Sequence, residues 1–247
     1  MKFGVVKAVA TAIFFICMIQ LPLWGQQAAV NSPRGYAGLV VGAYGQDQEL
    51  VNGMQYYDRH SRSLGHPYLL EGWVHQGSVT IRHHLYDNVM LRYDIHAQQV
   101  EVEYRTMNGA LNQVILVCDR VNEFTIGTMH FRNLNLEESQ EFFQMIGEDR
   151  LILYIRWKKK LVPVSGNSSF IEEFTAPKRS YLLQLDGSIA AFKNKKSLVK
   201  LFPDQMQMQL KRLIRTNHLV LRTATPEQLE LFIFAASDLI NRGAHPW

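Results

Sequence analysis

The stretch NVMLRYDIH, residues 88–96, alternates apolar and polar or amphipathic side chains along its length. One side of the extended chain carries four side chains of a hydrophobic core, Val89, Leu91, Tyr93 and Ile95. A period of two residues predicts a half-buried β-strand with one dry face and one wet face. Arg92 is then expected to face solvent, so that Arg92→Ala leaves stability nearly unchanged, whereas Leu91→Asp unfolds the protein.

The same alternation continues on both sides of this strand. Residues 72–81 and 98–105 are the expected neighbours, and Asn108 with Gly109 indicates a tight hairpin turn because both tolerate a positive φ. Further short runs up to residue 192 bring the expected number of strands to about ten. The pattern predicts an antiparallel β-meander that forms an open sheet, a sandwich or a partial barrel.

The apolar period changes to that of a helix after residue 193. Pro203 and Asp204 open one helix, and Thr225 with Gln228 forms a capping box at the start of the last one. The apolar stripes of two or three C-terminal helices must be buried, and the dry face of the sheet is available for them. We therefore predict an α+β fold of one domain, with a β-rich region at 36–193 and a helical segment at 194–243.

The first 25 residues have the order of a secretory signal peptide. Lys2 and Lys7 precede the apolar run 8–21, and cleavage is expected after the small residue Gly25. An uncleaved anchor is the alternative, although it needs about 20 apolar residues. Residues 26–35 are predicted to be a flexible lead-in, and no stable membrane span is expected after cleavage.

Cleavage changes the cysteine count and the charge. The exported chain keeps Cys118 and loses Cys17, so no intrachain disulfide is expected. The formal charge of +4 loses the two lysines of the signal peptide and becomes +2. So small a charge does not indicate nucleic acid as a partner.

Three segments form a pattern of their own: GHPY at 65–68 ahead of Trp73, residues 77–94, and residues 181–204 with YLLQL, KKSL and LFPD. In these segments, and from about residue 53 onward, the chain resembles a family of exported proteins from Bacteroidota. The resemblance implies the periplasm or cell envelope of a Gram-negative bacterium as its location. It implies no catalytic residues.

Aromatic and polar side chains before the meander and at its start are the candidate ligand-binding residues. They are Tyr56, Tyr57, Asp58, His66 and Trp73. Aromatic rings with a polar tip suit a ligand groove, and loops concentrate functional residues. The alternative role of these rings is to cover the edge of the sheet core.

Six histidines within residues 60–96 raise the question of a metal site. His75, His96 and one residue of the 83–84 pair, such as His83, are weak candidates for a site across neighbouring strands. Solvent-facing histidines explain the pattern as well, and we expect no cofactor.

Three functions compete on this sequence. The first is a non-enzymatic binding or structural module of the cell envelope, with an envelope protein as partner. The second is a periplasmic carrier that encloses a small apolar ligand between the sheet and the helices. The third is a metal-dependent hydrolase. A serine triad is not indicated, because no serine lies in a G-x-S-x-G context; the sequence neither supports nor excludes enzymatic activity.

Overall fold

The alternating stretch lies at the end of a strand, His84–Asp94, in a large antiparallel sheet. The computed structural model describes residues 48–51, 53–106, 108–136, 139–164 and 169–243. The predicted signal peptide, residues 1–25, and the lead-in, residues 26–35, lie outside these residues and stay predictions.

The described residues form fourteen strands. In chain order they are β1 (Met54–Gln55), β2 (Ser63–Leu64), β3 (His75–Ile81), β4 (His84–Asp94), β5 (Gln99–Arg105), β6 (Leu111–Ile115), β7 (Val121–Ile126), β8 (Met129–Leu136), β9 (Ser139–Glu148), β10 (Leu151–Lys158), β11 (Leu161–Pro163), β12 (Glu172–Phe174), β13 (Lys178–Leu185) and β14 (Ser188–Phe192). Eleven of them make one sheet in the order β1-β6-β5-β4-β3-β7-β8-β9-β10-β13-β14, and β11-β12-β2 make a small second sheet. The main sheet is open, with β1 and β14 at its edges.

Helices precede and follow the strands. They are α1 (Gln48–Val51), a single 3-10 turn (Cys118–Arg120), α2 (Lys195–Val199), α3 (Asp204–Thr216) and α4 (Pro226–Gly243). The predicted capping box of α4 is confirmed, since the backbone N–H of Gln228 donates to Thr225 Oγ1 and the N–H of Thr225 donates to Gln228 Oε1.

The main sheet is strongly curved. The ring of Tyr93 on β4 packs edge-on against Phe131 on β8 and Phe142 on β9, which lie several strands away in the sheet. The Tyr93 hydroxyl also donates to Gln98 Oε1 at 2.7 Å. Both halves of the sheet therefore enclose the same core.

This core joins the sheet to the helices and confirms the predicted α+β fold. Leu91, Tyr93 and Ile95 are buried in it, as the alternation predicts. The helices contribute apolar side chains to the same cluster, among them Leu210 of α3 and Phe232 of α4. Side chains from the sheet and the helices thus share one core.

The prediction that the opposite face is wet is wrong in two places. Phe143, Ile152 and Tyr154 are buried on that face and form a small apolar cluster of their own. Arg92 and Asp94 are also buried, although the alternation places them on the solvent side. Arg92 and Asp94 are removed from water because residues that precede β3 in the chain cover this part of the sheet.

Candidate functional site

The covered part of the second face lies on β4 and β5. Arg92 pairs with Glu101 across these two strands, and Tyr68 forms an isolated antiparallel bridge with Asp94. Cross-strand partners point to the same side of a sheet, so these four side chains share the second face. The segment 66–70 therefore runs beside the end of β4. β3 does not reach this point, because its first residue, His75, pairs with Leu91.

A buried ion pair is the centre of this face. Arg92 Nε donates to Glu101 Oε2 at 2.5 Å, and the two side chains are 3% and 4% exposed. The guanidinium carbon of Arg92 lies 4.6 Å, 4.1 Å and 4.6 Å from the ring centroids of Tyr56, Tyr68 and Trp73. Arg92 Nη2 is buried without an acceptor, so the π faces of these rings surround a charge that water would otherwise solvate.

Further hydrogen bonds hold the aromatic rings in place. The Tyr68 hydroxyl lies 3.4 Å from both Tyr56 Oη and Glu101 Oε2. The indole N–H of Trp73 donates to Glu103 Oε2 at 3.0 Å. The rings therefore have fixed orientations, which lowers the entropy that a ligand would lose by ordering them.

Burial dominates the electrostatics of the ion pair. It raises the pKa of Glu101, while the charge of Arg92 and hydrogen bonds from Arg92 and Tyr68 act in the opposite direction. Burial also acts to lower the pKa of Arg92, but the charge of Glu101, the hydrogen bond to Glu101 and the nearby Tyr68 and Tyr56 together outweigh this, so the pKa is raised. Burial raises the pKa of Tyr68, together with its hydrogen bond to Tyr56, so the phenol stays neutral. Each charge of the pair depends on the other.

A cavity of about 380 Å³ lies against these residues. All five candidate binding residues line it: Tyr56, Tyr57, Asp58, His66 and Trp73. Trp73 and Tyr57 are 62% and 77% exposed, so both offer ring surface to a ligand. The volume is within the range of small-ligand sites, which starts at about 300 Å³.

Two polar side chains that line the cavity, His66 and Asp94, have hydrogen-bond partners within the protein. His66 Nδ1 accepts from the backbone N–H of Tyr68, which leaves the proton on Nε2 to be donated to Glu71 at 2.9 Å. This bond lowers the pKa of Glu71. Asp94 Oδ1 accepts two backbone N–H groups, from His96 and Ala97, and so shapes the turn between β4 and β5.

Lys159 belongs to this region as well, although no sequence pattern singles it out. It lies among three consecutive lysines that resemble a solvated strand end, yet its side chain is buried. Its Nζ donates to the carbonyl oxygens of His66 and Tyr68, at 2.8 Å and 2.9 Å. Lys159 thereby fixes the segment 66–68 over the second face. Burial lowers its pKa, and Glu71 and Asp94 oppose this.

The three weak metal candidates lie in different surroundings. His75 is on β3 with a buried Nε2 that has no hydrogen-bond partner, and His83 is exposed in the turn before β4. His96 lines the cavity and packs edge-on against His60, with ring centroids 5.8 Å apart. Within the described ranges, no three His, Cys, Asp or Glu side chains are close enough together to hold a metal ion.

Cys118 is a half-buried thiol, and we predict that it is unreactive in the folded protein. Burial, together with the charge of Asp119, raises its pKa to about 11 from 9.0. At pH 8 the thiolate fraction is then about 100-fold below that of an unperturbed thiol, and the thiolate is the nucleophile. Maleimide labelling of Cys118 at pH 8, followed by mass spectrometry of the peptide that contains it, is expected to be slow in native protein and fast in denaturant. Equal rates in the two states would contradict the assignment.

Comparisons with protein-family models, with curated proteins and with solved structures found no match to this chain. None of the helices in the described part of the chain is long and apolar enough to cross a membrane. The fold and the cavity are therefore the basis for a functional assignment: an α+β protein with an aromatic, polar cavity on the second face of its sheet.

Proposed function

We propose that this chain is an exported, non-enzymatic binding module of the cell envelope, and that its ligand occupies the aromatic cavity. The observation that carries the proposal is the buried Arg92–Glu101 pair, around which Tyr56, Tyr68 and Trp73 are held. Export to the periplasm or envelope of a Gram-negative bacterium is part of the proposal. It rests on the order of residues 1–25 and on the family resemblance.

The partners of the polar groups favour binding over catalysis. Asp94 holds two backbone N–H groups, Glu101 is paired with Arg92, and His66 is bonded to Glu71. A general acid or base needs a proton that it can exchange with a substrate, whereas these groups are occupied in holding the walls. The cavity offers a ligand the exposed ring surface of Trp73 and Tyr57, and it offers the carboxylate of Asp58, whose Oδ1 also accepts from the backbone N–H of His60.

The cavity suits a polar ligand the size of one or two sugar or amino-acid units. Ring faces stack on flat or ring-shaped groups, and the surrounding polar atoms suit a ligand that carries its own hydrogen-bonding groups. An apolar cargo between the sheet and the helices, the second function considered, is less favoured, because the cavity of about 540 Å³ between the β9–β10 hairpin and α4 is lined by charged side chains such as Glu148, Arg150 and Asp238.

An NMR titration with a panel of monosaccharides, disaccharides and dipeptides tests the proposal. We expect saturable shifts of residues 56–73 with at least one class of compound. Trp73→Ala and Tyr57→Ala are expected to weaken that binding by about tenfold or more, because each removes a stacking surface. The rings that stack on Arg92 are those of Tyr56, Tyr68 and Trp73. Tyr57→Ala therefore leaves the buried ion pair intact, and a loss of affinity in this variant reports on binding and not on stability.

Phe234→Ala is the matched control, since Phe234 is an exposed aromatic residue of α4 that does not line the cavity. The affinity of the Phe234→Ala variant for the bound compound is expected to equal that of the wild type. Shifts confined to other parts of the protein, or no shift with any compound of the panel, would contradict the proposal.

A further inference from the structure

A groove between α2 and α3 differs in charge from the rest of the surface. It has a volume of about 500 Å³ and a floor of two buried apolar side chains, Val199 and Ile214. Five exposed cations line it: Lys195, Lys196, Lys200, Lys211 and Arg215. Its described lining contains no carboxylate.

In the part of the chain that the structure describes, none of these five cations takes part in an ion pair. Like charges this close together repel one another, which destabilises the folded state unless anions from outside compensate them. The groove is therefore complementary to an anionic partner.

The chain concentrates its positive charge in this segment. Residues 193–222 contain eight Lys or Arg and a single acidic residue, Asp204, for a net charge of +7. Because the whole chain has a formal charge of +4, all other residues together have a charge of −3. A charge distribution of this kind orients a protein in front of an anionic surface.

An exposed apolar side chain accompanies the cations. Met208 is 76% exposed on α3, one helical turn before Lys211 and two turns before Arg215, so the three share one stripe of the helix. A small anion site would gather buried polar donors around the ion, whereas all five cations here are exposed. Exposed cations beside an apolar side chain are typical of surfaces that lie at the headgroup level of a bilayer.

We propose that α2 and α3 form a peripheral docking surface for an anionic lipid bilayer. The lysines and Arg215 contact the phosphate groups of the lipids, and Met208 enters the headgroup layer. The surface is separate from the aromatic cavity, so the two proposals fail or succeed independently.

Sedimentation of the full chain with lipid vesicles tests this surface. We expect the protein to bind mixed vesicles of phosphatidylcholine and phosphatidylglycerol more tightly than pure phosphatidylcholine vesicles, and added salt to weaken the binding. Lys196→Glu with Lys211→Glu is expected to lower the partition coefficient on the mixed vesicles by at least about 30-fold, since each cation at such a surface contributes about fivefold. The apolar run 8–21 is present in every variant, so any binding that it contributes is common to all of the compared samples.

Arg120→Glu with Lys160→Glu is the matched control. It makes the same change in net charge at two exposed cations outside the groove, and we expect the control to lose far less binding. A loss equal to that of the groove variant, or equal binding to both vesicle types, would overturn the proposal. So would competition by inorganic phosphate at low millimolar concentration, which indicates a small-anion site. Lys195→Gln with Lys200→Gln repeats the test without new negative charges, in case the first variant does not fold.

Discussion

Arg92→Ala is expected to lower the free energy of unfolding by about 3–5 kcal/mol, which is the cost of removing one partner from a buried ion pair. The Glu101 carboxylate would remain buried, and burial already raises its pKa. The rings of Tyr56, Tyr68 and Trp73 would also lose the guanidinium on which they stack. Urea unfolding followed by circular dichroism measures the change.

Two further variants separate the ion pair from a general effect of removing an arginine. Arg150→Ala removes a partner from an exposed ion pair with Asp186 and is expected to change stability little, because water solvates the remaining charge. Arg92→Met combined with Glu101→Leu removes both buried charges and is expected to recover much of the lost stability. If Arg92→Ala lowered the free energy of unfolding as little as Arg150→Ala, the assignment of Arg92 and Glu101 as a buried pair would be wrong.

Leu91→Asp is expected to abolish folding. Leu91 is fully buried in the core that joins the sheet to the helices. The substitution removes the packing of the leucine and places a carboxylate where neither water nor a cation is at hand, at a cost above about 5 kcal/mol. Domains of this kind have a total stability of about 5–15 kcal/mol. Circular dichroism and one-dimensional NMR spectra of the purified variant measure the outcome.

Leu85→Asp is the control for this prediction. It makes the same substitution in the same strand, β4, at a leucine whose side chain is exposed. The expected cost is up to about 1 kcal/mol, from the low β-propensity of Asp. Equal damage by the two substitutions would show that strand propensity, and not burial, decides the effect.

The alternation in residues 88–96 predicts correctly which side chains of β4 face the core. Leu91, Tyr93 and Ile95 follow from a period of two, which is a local property of an extended chain. The start of α4 at Pro226 is likewise local, because a capping box forms between residues three apart. Predictions of this kind need no knowledge of distant residues, and the structure confirms them.

The environment of Arg92 was predicted wrongly for a different reason. An arginine in an alternating strand normally lies on the solvent side, and nothing within residues 88–96 indicates otherwise. Its burial depends on Tyr56, Tyr68 and Trp73, which precede β3 and return over β4 and β5. Lys159 is a similar case, since its acceptors are carbonyl groups about 90 residues earlier in the chain.

The candidate binding residues could be predicted only in part from the sequence. The sequence marks Tyr56, Tyr57, Asp58, His66 and Trp73 as aromatic and polar side chains in a segment without regular structure. Their convergence on one cavity depends on where that segment crosses the sheet. A sequence pattern reports residue types, whereas a shared cavity requires contacts between distant parts of the chain.

Local patterns in the sequence therefore predict the main strands of the meander, the capped start of α4 and the dry face of the sheet, because periodicity and capping act over a few residues. The burial of Arg92 and Asp94, on the opposite side of β4, depends instead on contacts between distant parts of the chain. Curvature of the sheet and the return of residues 56–73 remove Arg92 and Asp94 from water, and the resulting desolvation turns an apparently solvated strand face into a buried ion pair beneath a cavity.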